Sequence, residues 1–374
     1  MKKICLTVTN DLTYDQRMQR IARSLQLAGY QVTLVGRLLP DSSPCQAEIF
    51  HQVRLKCRFN KGFLFYAEYN LRLTYWLLQA DFDAIGTVDL DTLAAGGIAG
   101  VLRRKIRVFD AHEYFTEVPE VVHRRFVKAF WGLVARLFLP FYQHAYTVGP
   151  ALAAIFTQIY RIPFEVVRNV PQSMATIPPD LPGDTPRILL YQGALNEGRG
   201  IESMLQAMQA LPDFQFWLAG EGDLSIPLRE MAQHLGLTDR VRFLGFVKPA
   251  DLKDYTRQAW VGLNLLENKG LSYYYSLANK FFDNVQAAKP IITMDFPEYR
   301  ALNHEYEVAV LLPDLTVDTL VQQIRHLATD PFLYNKLKSN CLQARKHWIW
   351  EADEQVLLGV WERAFNAKAH VKAR

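Results

Sequence analysis

Residues 3–35, KICLTVTNDLTYDQRMQRIARSLQLAGYQVTLV, decide the fold class. The run 3–9 is short and apolar and reads as a strand that stops at Asn10 and Asp11. A helical pattern follows over 15–28, and Gly29 ends it. A second strand-like run, 31–35, comes at once. Strand, helix and strand in that order imply a parallel pair with the helix crossing over one face, so the chain opens as an α/β protein.

The rhythm continues outward from there. Strand-like runs recur at 84–88, 107–109, 145–148 and 165–167, with helical stretches between them. Pro171, Pro178, Pro179, Pro182, Gly183 and Pro186 then fall within a short span, a linker composition. The rhythm restarts with strands predicted at 187–192, 214–219, 241–244, 261–265 and 290–294, and helices at 200–210 and 226–234. A helix rich in Trp and Glu covers roughly 347–369. The expected organisation is an α/β domain over 1–170, a second over 171–346, and a terminal segment 347–374. Two consecutive α/β domains would place a cleft between them, with ligands beyond the C-terminal strand ends.

Composition narrows the function classes. With 374 residues, 50% hydrophobic and 21% charged, the chain suits two globular domains and not a disordered one. Cys5, Cys45, Cys57 and Cys341 are scattered without metal-ligand spacing, as free thiols of a reducing compartment would be. The apolar start is too short for a signal peptide, and no run is long enough to span a membrane, so a cytoplasmic location is expected. Charge is uneven: residues 1–170 hold 21 Lys and Arg against 14 Asp and Glu, whereas the remainder is net acidic. The first half is therefore the one that would meet an anionic surface or substrate.

The most informative stretch for chemistry is 276–292. It reads as a loop, a helix starting near Leu277, and a buried strand. Asn279 and Lys280 fall in the first helical turn, where backbone N–H groups and a lysine favour an anion. Asp283 lies one turn on, along the same face. An anion cradle beside a carboxylate suits a ligand with phosphates and hydroxyls, such as a nucleotide sugar. A buried helix with one capped end fits the same residues. After the 187–192 strand comes Gly193-Ala-Leu-Asn196-Glu-Gly198-Arg199-Gly200. Its glycines permit close backbone approach, and Arg199 sits at the mouth of the next helix, where a diphosphate would lie. A structural turn with an exposed arginine is the alternative. Gly222 and Phe246 follow the next two strands and would flank a base, or form ordinary turns.

In the first half, Asp110-Ala-His112-Glu113 follows a strand end, a histidine between carboxylates. It is a site candidate, or a helix start capped with Glu113. Asp15, Arg17 and Arg20 would line the same cleft or form a solvated helix face. Asp89 and Asp91 lack a third ligand at useful spacing, so no metal is expected. Bases interleave with aromatics over 54–75 and 123–142, as on an interfacial helix, or on a helix packed against the sheet with a basic outer face. No nucleic-acid motif accompanies that charge.

Taken together, these residues resemble the retaining glycosyltransferases of the GT-B fold, family 4, nearly end to end. Thr9-Asn-Asp-Leu-Thr-Tyr-Asp-Gln-Arg17 looks like the loop after the first strand, and 110–113 like the family's His-acid motif. Gly193 to Gly200 resembles the diphosphate loop, Asn279-Lys-Phe-Phe-Asp283 the segment whose acid holds the donor ribose, and 167–171 the entry to the linker. The helix from Trp350 looks like the one that crosses back to the first domain. Position 275, the first of two glutamates eight apart in many members, is tyrosine, and Ala194 stands where an arginine is common.

The resemblance implies two Rossmann-like α/β domains facing each other across a cleft. It implies a nucleoside-diphosphate sugar as donor substrate, with no metal or other cofactor required. It implies His112, Arg199 and Lys280 as catalytic residues. Gly193, Asn196, Gly198, Gly222, Phe246, Ser276, Asn279 and Asp283 would bind the donor, with Asp15, Arg17, Asp110 and Glu113 on the acceptor side. The acceptor would be a glycan or lipid-linked hydroxyl in polysaccharide or lipopolysaccharide assembly. The basic half would touch an anionic membrane at its inner face, and nucleic acid is not an expected partner. Two alternatives remain. One is a nucleotide-sugar 2-epimerase on the same fold. The other is a non-catalytic relative that binds a sugar nucleotide or pairs with an active transferase.

Overall fold

The computed structural model describes residues 1–45, 47–174 and 186–372, with side chains described as far as 367. The chain divides into two units, Met1–Arg168 with Asp353–Arg374, and Asn169–Ala352. Of the linker residues, Pro178, Pro179, Pro182 and Gly183 lie outside the described residues.

The first unit is built on seven parallel strands: β1 (Lys3–Thr7), β2 (Gln31–Leu38), β3 (His51–Lys56), β4 (Ala84–Val88), β5 (Ile106–Ala111), β6 (His144–Thr147) and β7 (Phe164–Val166). Their order is β3-β2-β1-β4-β5-β6-β7, so the winding reverses between β1 and β4. The helices that matter below are α1 (Gln16–Leu27), α2 (Gly62–Gln79), α3 (Asp89–Leu102) and α4 (Arg125–Phe138). Phe65, Tyr69, Leu73 and Leu77, spaced by four along α2, are all buried and pack with Cys5, Val35 and Ile85 of the sheet. Asp15 caps α1 by accepting from the Met18 N–H at 3.1 Å.

The second unit repeats the plan with six parallel strands: β8 (Arg187–Gln192), β9 (Phe214–Ala219), β10 (Val241–Gly245), β11 (Val261–Asn264), β12 (Ile291–Met294) and β13 (Ala309–Leu312). The order is β10-β9-β8-β11-β12-β13, with the reversal between β8 and β11. Strands of such a sheet are covered on both faces and read as continuous apolar runs, as in Ile188-Leu189-Leu190-Tyr191, all buried. Two helices frame the site, α5 (Ile201–Ala207) after β8 and α6 (Asn279–Gln286) before β12.

The last helix, α7 (Trp350–Lys372), belongs to the first unit from Asp353 onward. Its Trp361 is buried against Gly86, Phe365 stacks on Tyr30 at 5.4 Å, and Asp353 pairs with Arg168 at 2.8 Å.

Candidate active site

In doubly wound sheets the loops at the winding reversal splay apart and leave a crevice at the C-terminal strand ends. In the second unit that place holds the loop after β8. Two lateral bonds continue the ladder past the strands: Gly193 N–H donates to the Ala219 carbonyl at 2.9 Å, and Gly220 N–H to that of Gly245 at 2.8 Å. Gly193 has φ +134° and Gly220 φ +149°, both in territory that side chains rarely enter. A Cβ on Gly220 would lie 1.9 Å from the Gly193 carbonyl oxygen. Gly220→Ala should therefore displace the Gly193 loop, at a cost of about 1–3 kcal/mol in stability. Denaturant melts would measure it, and unchanged stability would show that the loop yields without strain.

Around that loop the structure gathers two cations. Lys280, in the first turn of α6, is only 8% exposed. Its Nζ has no hydrogen-bond partner among the described residues and lies 3.9 Å from the Tyr191 ring centroid. It is also 3.9 Å from where a Cβ would sit on Gly193. Arg199, half-buried, sets its guanidinium 4.6 Å from the Tyr273 ring centroid, and its Nε is buried without a hydrogen-bond partner. Burial first, and the Arg199 charge second, hold the Lys280 pKa well below the ordinary lysine range. Two neighbouring cations faced by rings instead of carboxylates leave a strong positive potential, because a quadrupole compensates less than a counter-charge. One acid is close by: Glu202 at the start of α5 keeps one buried carboxylate oxygen unpartnered.

Asp283, one turn along α6, accepts from the Gln192 amide at 3.3 Å, and Gln192 in turn accepts from the Thr256 hydroxyl at 3.0 Å. Sequence reasoning passed over Gln192 and Tyr191, although both stand directly before the glycine loop. Asn196 braces the neighbouring turn. Its Oδ1 accepts from Asp223 N–H at 3.1 Å and lies where a side chain on Gly222 would collide. Ser276 donates to the backbone carbonyl of Tyr273, the residue whose ring faces Arg199, at 2.8 Å. Gly198 approaches that same ring closely. Asn279 and Phe246 stand exposed, Phe246 one residue past Gly245. Glu267 is tied to Lys269 at 2.9 Å, and Lys269 also holds Glu197.

In the first unit the residues after β1, β4 and β5 converge. Arg17 is 4% exposed, so the expected solvated helix face does not include it. Its Nη2 donates to Asp110 at 3.1 Å, its Nη1 to the Val167 carbonyl at 3.0 Å, and its Nε reaches His112 Nε2 at 3.0 Å. Asp110, 1% exposed, has its other oxygen 2.9 Å from the same histidine nitrogen. Nε2 can serve one neighbour only, accepting from Arg17 when it carries no proton or donating to Asp110 when it does. Burial, and to a lesser degree Arg17, pull the His112 pKa down, but Asp110 and Asp89 together carry the net shift upward, which favours donation to Asp110. Burial likewise pushes Asp110 up, and Arg17 and His112 bring it below its ordinary value.

Asp89 accepts from the His112 backbone N–H at 2.8 Å from a left-handed conformation, φ +50°. Burial holds its carboxyl well above the usual range. Asp91, buried and bonded by Thr9, is pushed up to about 6. The sequence offered Asp89 and Asp91 only as metal candidates, whereas here Asp89 positions the histidine backbone. Among the described residues no group of three or more His, Cys, Asp or Glu could hold a metal ion. Asp15 is engaged as the α1 cap, and Glu113 is exposed. Asp89, Glu113, Tyr114, Phe156 and Tyr160 line an opening beside His112.

Comparison with known proteins bears on both units. A family model described as Glycosyltransferase Family 4 matches residues 16–172, and one described as Glycosyl transferases group 1 matches 175–346. The chain is 34% identical over 67 residues to the lipopolysaccharide core biosynthesis glycosyltransferase LpsE of Rhizobium meliloti, across 18% of this chain and 19% of that protein. It is 23% identical over 164 residues to the alpha-monoglucosyldiacylglycerol synthase of Streptococcus pneumoniae, across 40% of this chain and 37% of that protein. Each alignment thus spans well under half of the relative. Among solved structures, the sucrose-phosphate synthase of Thermosynechococcus elongatus superposes with a TM-score of 0.79 at 17% identity, over 98% of this chain and all of that one. Anabaena HepE in complex with UDP superposes with a TM-score of 0.71 at 14% identity, over 97% of this chain and all of that one. At such identities the structures speak for the fold alone, and that fold is GT-B.

Proposed function

Because the chain belongs to the GT-B glycosyltransferases of family 4, we propose that it moves a sugar from a nucleoside-diphosphate sugar to a hydroxyl acceptor with retention of configuration. The observation that carries this reading is the pair Arg199 and Lys280 beside the Gly193 loop, both cations without a hydrogen-bonded carboxylate among the described residues. A diphosphate supplies the negative charge that such a pair lacks. Asp283, already oriented by Gln192, is proposed to take the ribose hydroxyls. Anabaena HepE carries UDP in its crystal structure, which makes UDP the first nucleotide to try.

The reaction has one demanding step. The bond between the anomeric carbon and the diphosphate oxygen breaks while the acceptor oxygen bonds to the same face of that carbon. The acceptor proton passes to the departing diphosphate. Charge grows on the leaving oxygens, where Arg199 and Lys280 would stabilise it, the kind of contribution that often dominates catalysis. His112, held between Asp110 and Asp89, is proposed to orient the sugar through hydrogen bonds. The acceptor is proposed to be a glycan or lipid-linked hydroxyl in polysaccharide or lipopolysaccharide assembly, with the protein peripheral on the inner membrane face. The names of the relatives LpsE and alpha-monoglucosyldiacylglycerol synthase support that class.

Thermal shift with UDP, GDP, ADP, CDP and dTDP, with and without Mg²⁺, tests the donor site. A ligand at about a hundred times its Kd adds roughly 2.7 kcal/mol and raises Tm by several degrees. One nucleotide should give that shift, and its sugars should then yield product with an acceptor. Binding without product would favour a non-catalytic relative, the reading that Tyr275 and Ala194 motivate. Absence of any shift would remove the donor site.

A further inference from the structure

We propose that the outer face of α4, with the start of α2, docks on an anionic lipid bilayer. This deepens the peripheral placement proposed above and rests on it for its purpose, while its evidence is separate.

Helix α4 has two apolar faces. Trp131, Val134 and Ala135 are buried against the unit. Phe126, Phe130, Leu133 and Leu137 fall at i, i+4, i+7 and i+11, a single stripe at helical period. They are 93%, 41%, 53% and 54% exposed. Phe63 at the start of α2, 66% exposed, meets Phe130 edge-on at 5.7 Å and extends the stripe onto a second helix. Along α2 itself Leu64, Leu71, Tyr75 and Leu78 form another exposed row, on the side away from its buried residues. A contiguous apolar surface of this kind marks a place that something covers.

The surrounding charge identifies the cover. Residues 121–142 contain Arg124, Arg125, Lys128 and Arg136 and no acid. Lys128 pairs with Glu117, whereas the three arginines have no ion-pair partner among the described residues. On a helical wheel Arg125 and Arg136 lie beside the exposed stripe, on the flank away from the core. Aromatic and aliphatic side chains inserted at the acyl boundary, with cations at headgroup depth, is the arrangement of an interfacial helix. A fluid layer accommodates exposed side chains of this kind without a matching shape. Phosphate headgroups accept the arginines in any register. No helix of the described residues is long and apolar enough to cross a membrane.

Flotation of the full chain with phosphatidylcholine vesicles, with and without about 30% phosphatidylglycerol, tests the proposal. The unaltered chain should float with the anionic vesicles at low salt, and less at high salt. Phe126→Ser with Leu133→Ser, and separately Arg124→Gln with Arg125→Gln, should each lower the bound fraction about tenfold or more. Both pairs are exposed, so melting temperature should not move. No flotation of the unaltered chain, or equal flotation of the variants, would overturn the proposal. So would light scattering that reveals a dimer broken by Phe126→Ser, since the face would then bind a second copy. Nucleotide thermal shift on the same samples keeps the readings apart: flotation without a nucleotide shift sinks the donor site alone, and the reverse sinks the docking face alone.

Discussion

Lys280→Met is expected to lower turnover by about a hundredfold or more while raising the Tm of the ligand-free protein by a few degrees. The first effect follows from losing a cation where leaving-group charge develops. The second follows from burial. Lys280 is 8% exposed, has no hydrogen-bonded acceptor among the described residues and stands near a second cation, so its charge opposes folding. Methionine keeps the length and removes the charge. A gain of about 1 kcal/mol would lift Tm by roughly 2–4 °C in a unit of this size. The same lysine sets a pH dependence. Its pKa is depressed in the free protein and would rise when a diphosphate arrives, so binding takes up a proton. Affinity should therefore fall as pH rises through the pKa of the complex. Calorimetry in buffers of different ionisation enthalpy would read proton uptake directly, and the Lys280→Met variant should have lost it. A variant with unaltered turnover, or one less stable than the parent, would remove Lys280 from the proposed role.

Arg17→Met should destabilise the first unit by about 3–5 kcal/mol, a cost that belongs to leaving a buried charge without its partner. That corresponds to a Tm loss of roughly 6–20 °C. The expectation rests on Asp110, 1% exposed and held below its usual pKa chiefly by Arg17 once burial is overcome. Replacing both partners, Arg17→Met with Asp110→Leu, should recover much of that stability, since a buried pair exchanged for apolar groups is often neutral. It should not recover turnover, because His112 would have lost the two side chains that hold Nε2. Denaturant melts and transfer assays on the single and double variants form the cycle. A double variant as active as the parent would reduce the network to scaffolding. Acid provides a second check. Asp110 titrates low in the folded state, so its contribution is present above the ordinary carboxylate range and is lost as pH falls through its lowered pKa.

Much of the architecture is legible in the chain itself. The run 3–35 forms β1, α1 and β2, and the predicted strands 84–88, 187–192 and 214–219 have those same bounds in the structure. These segments are legible because parallel strands buried on both faces leave unbroken apolar runs. The strands missed are edge strands. β3, His51-Gln-Val-Arg-Leu-Lys56, pairs on one side only and is half-exposed, so its polar residues blur the signal. β13 is the opposite edge of the second sheet. In the site, Lys280 and Arg199 are found by local spacing, because a helix start and a glycine loop are local features. Arg17 is named from its place after the first strand, but its burial is not legible, since that is decided by Asp110 and Val167, far away in sequence. Gln192 escapes for the same reason: a polar residue ending a strand looks ordinary until Asp283 and Thr256 are seen on either side.

The division of the chain has a consequence for how the protein is made. The second unit is one continuous segment, 169–352, inserted into the first, whose closing piece is supplied by the end of α7. During synthesis the second unit is complete, and free to fold, before the ribosome has released Trp361 and Phe365. The unit that starts first thus finishes last. Until then Tyr30 and the sheet around Gly86 lack the aromatic side chains that cover them. A chain interrupted before Trp361 would have its second unit whole, yet the damage would fall on the unit whose first strand was made long before.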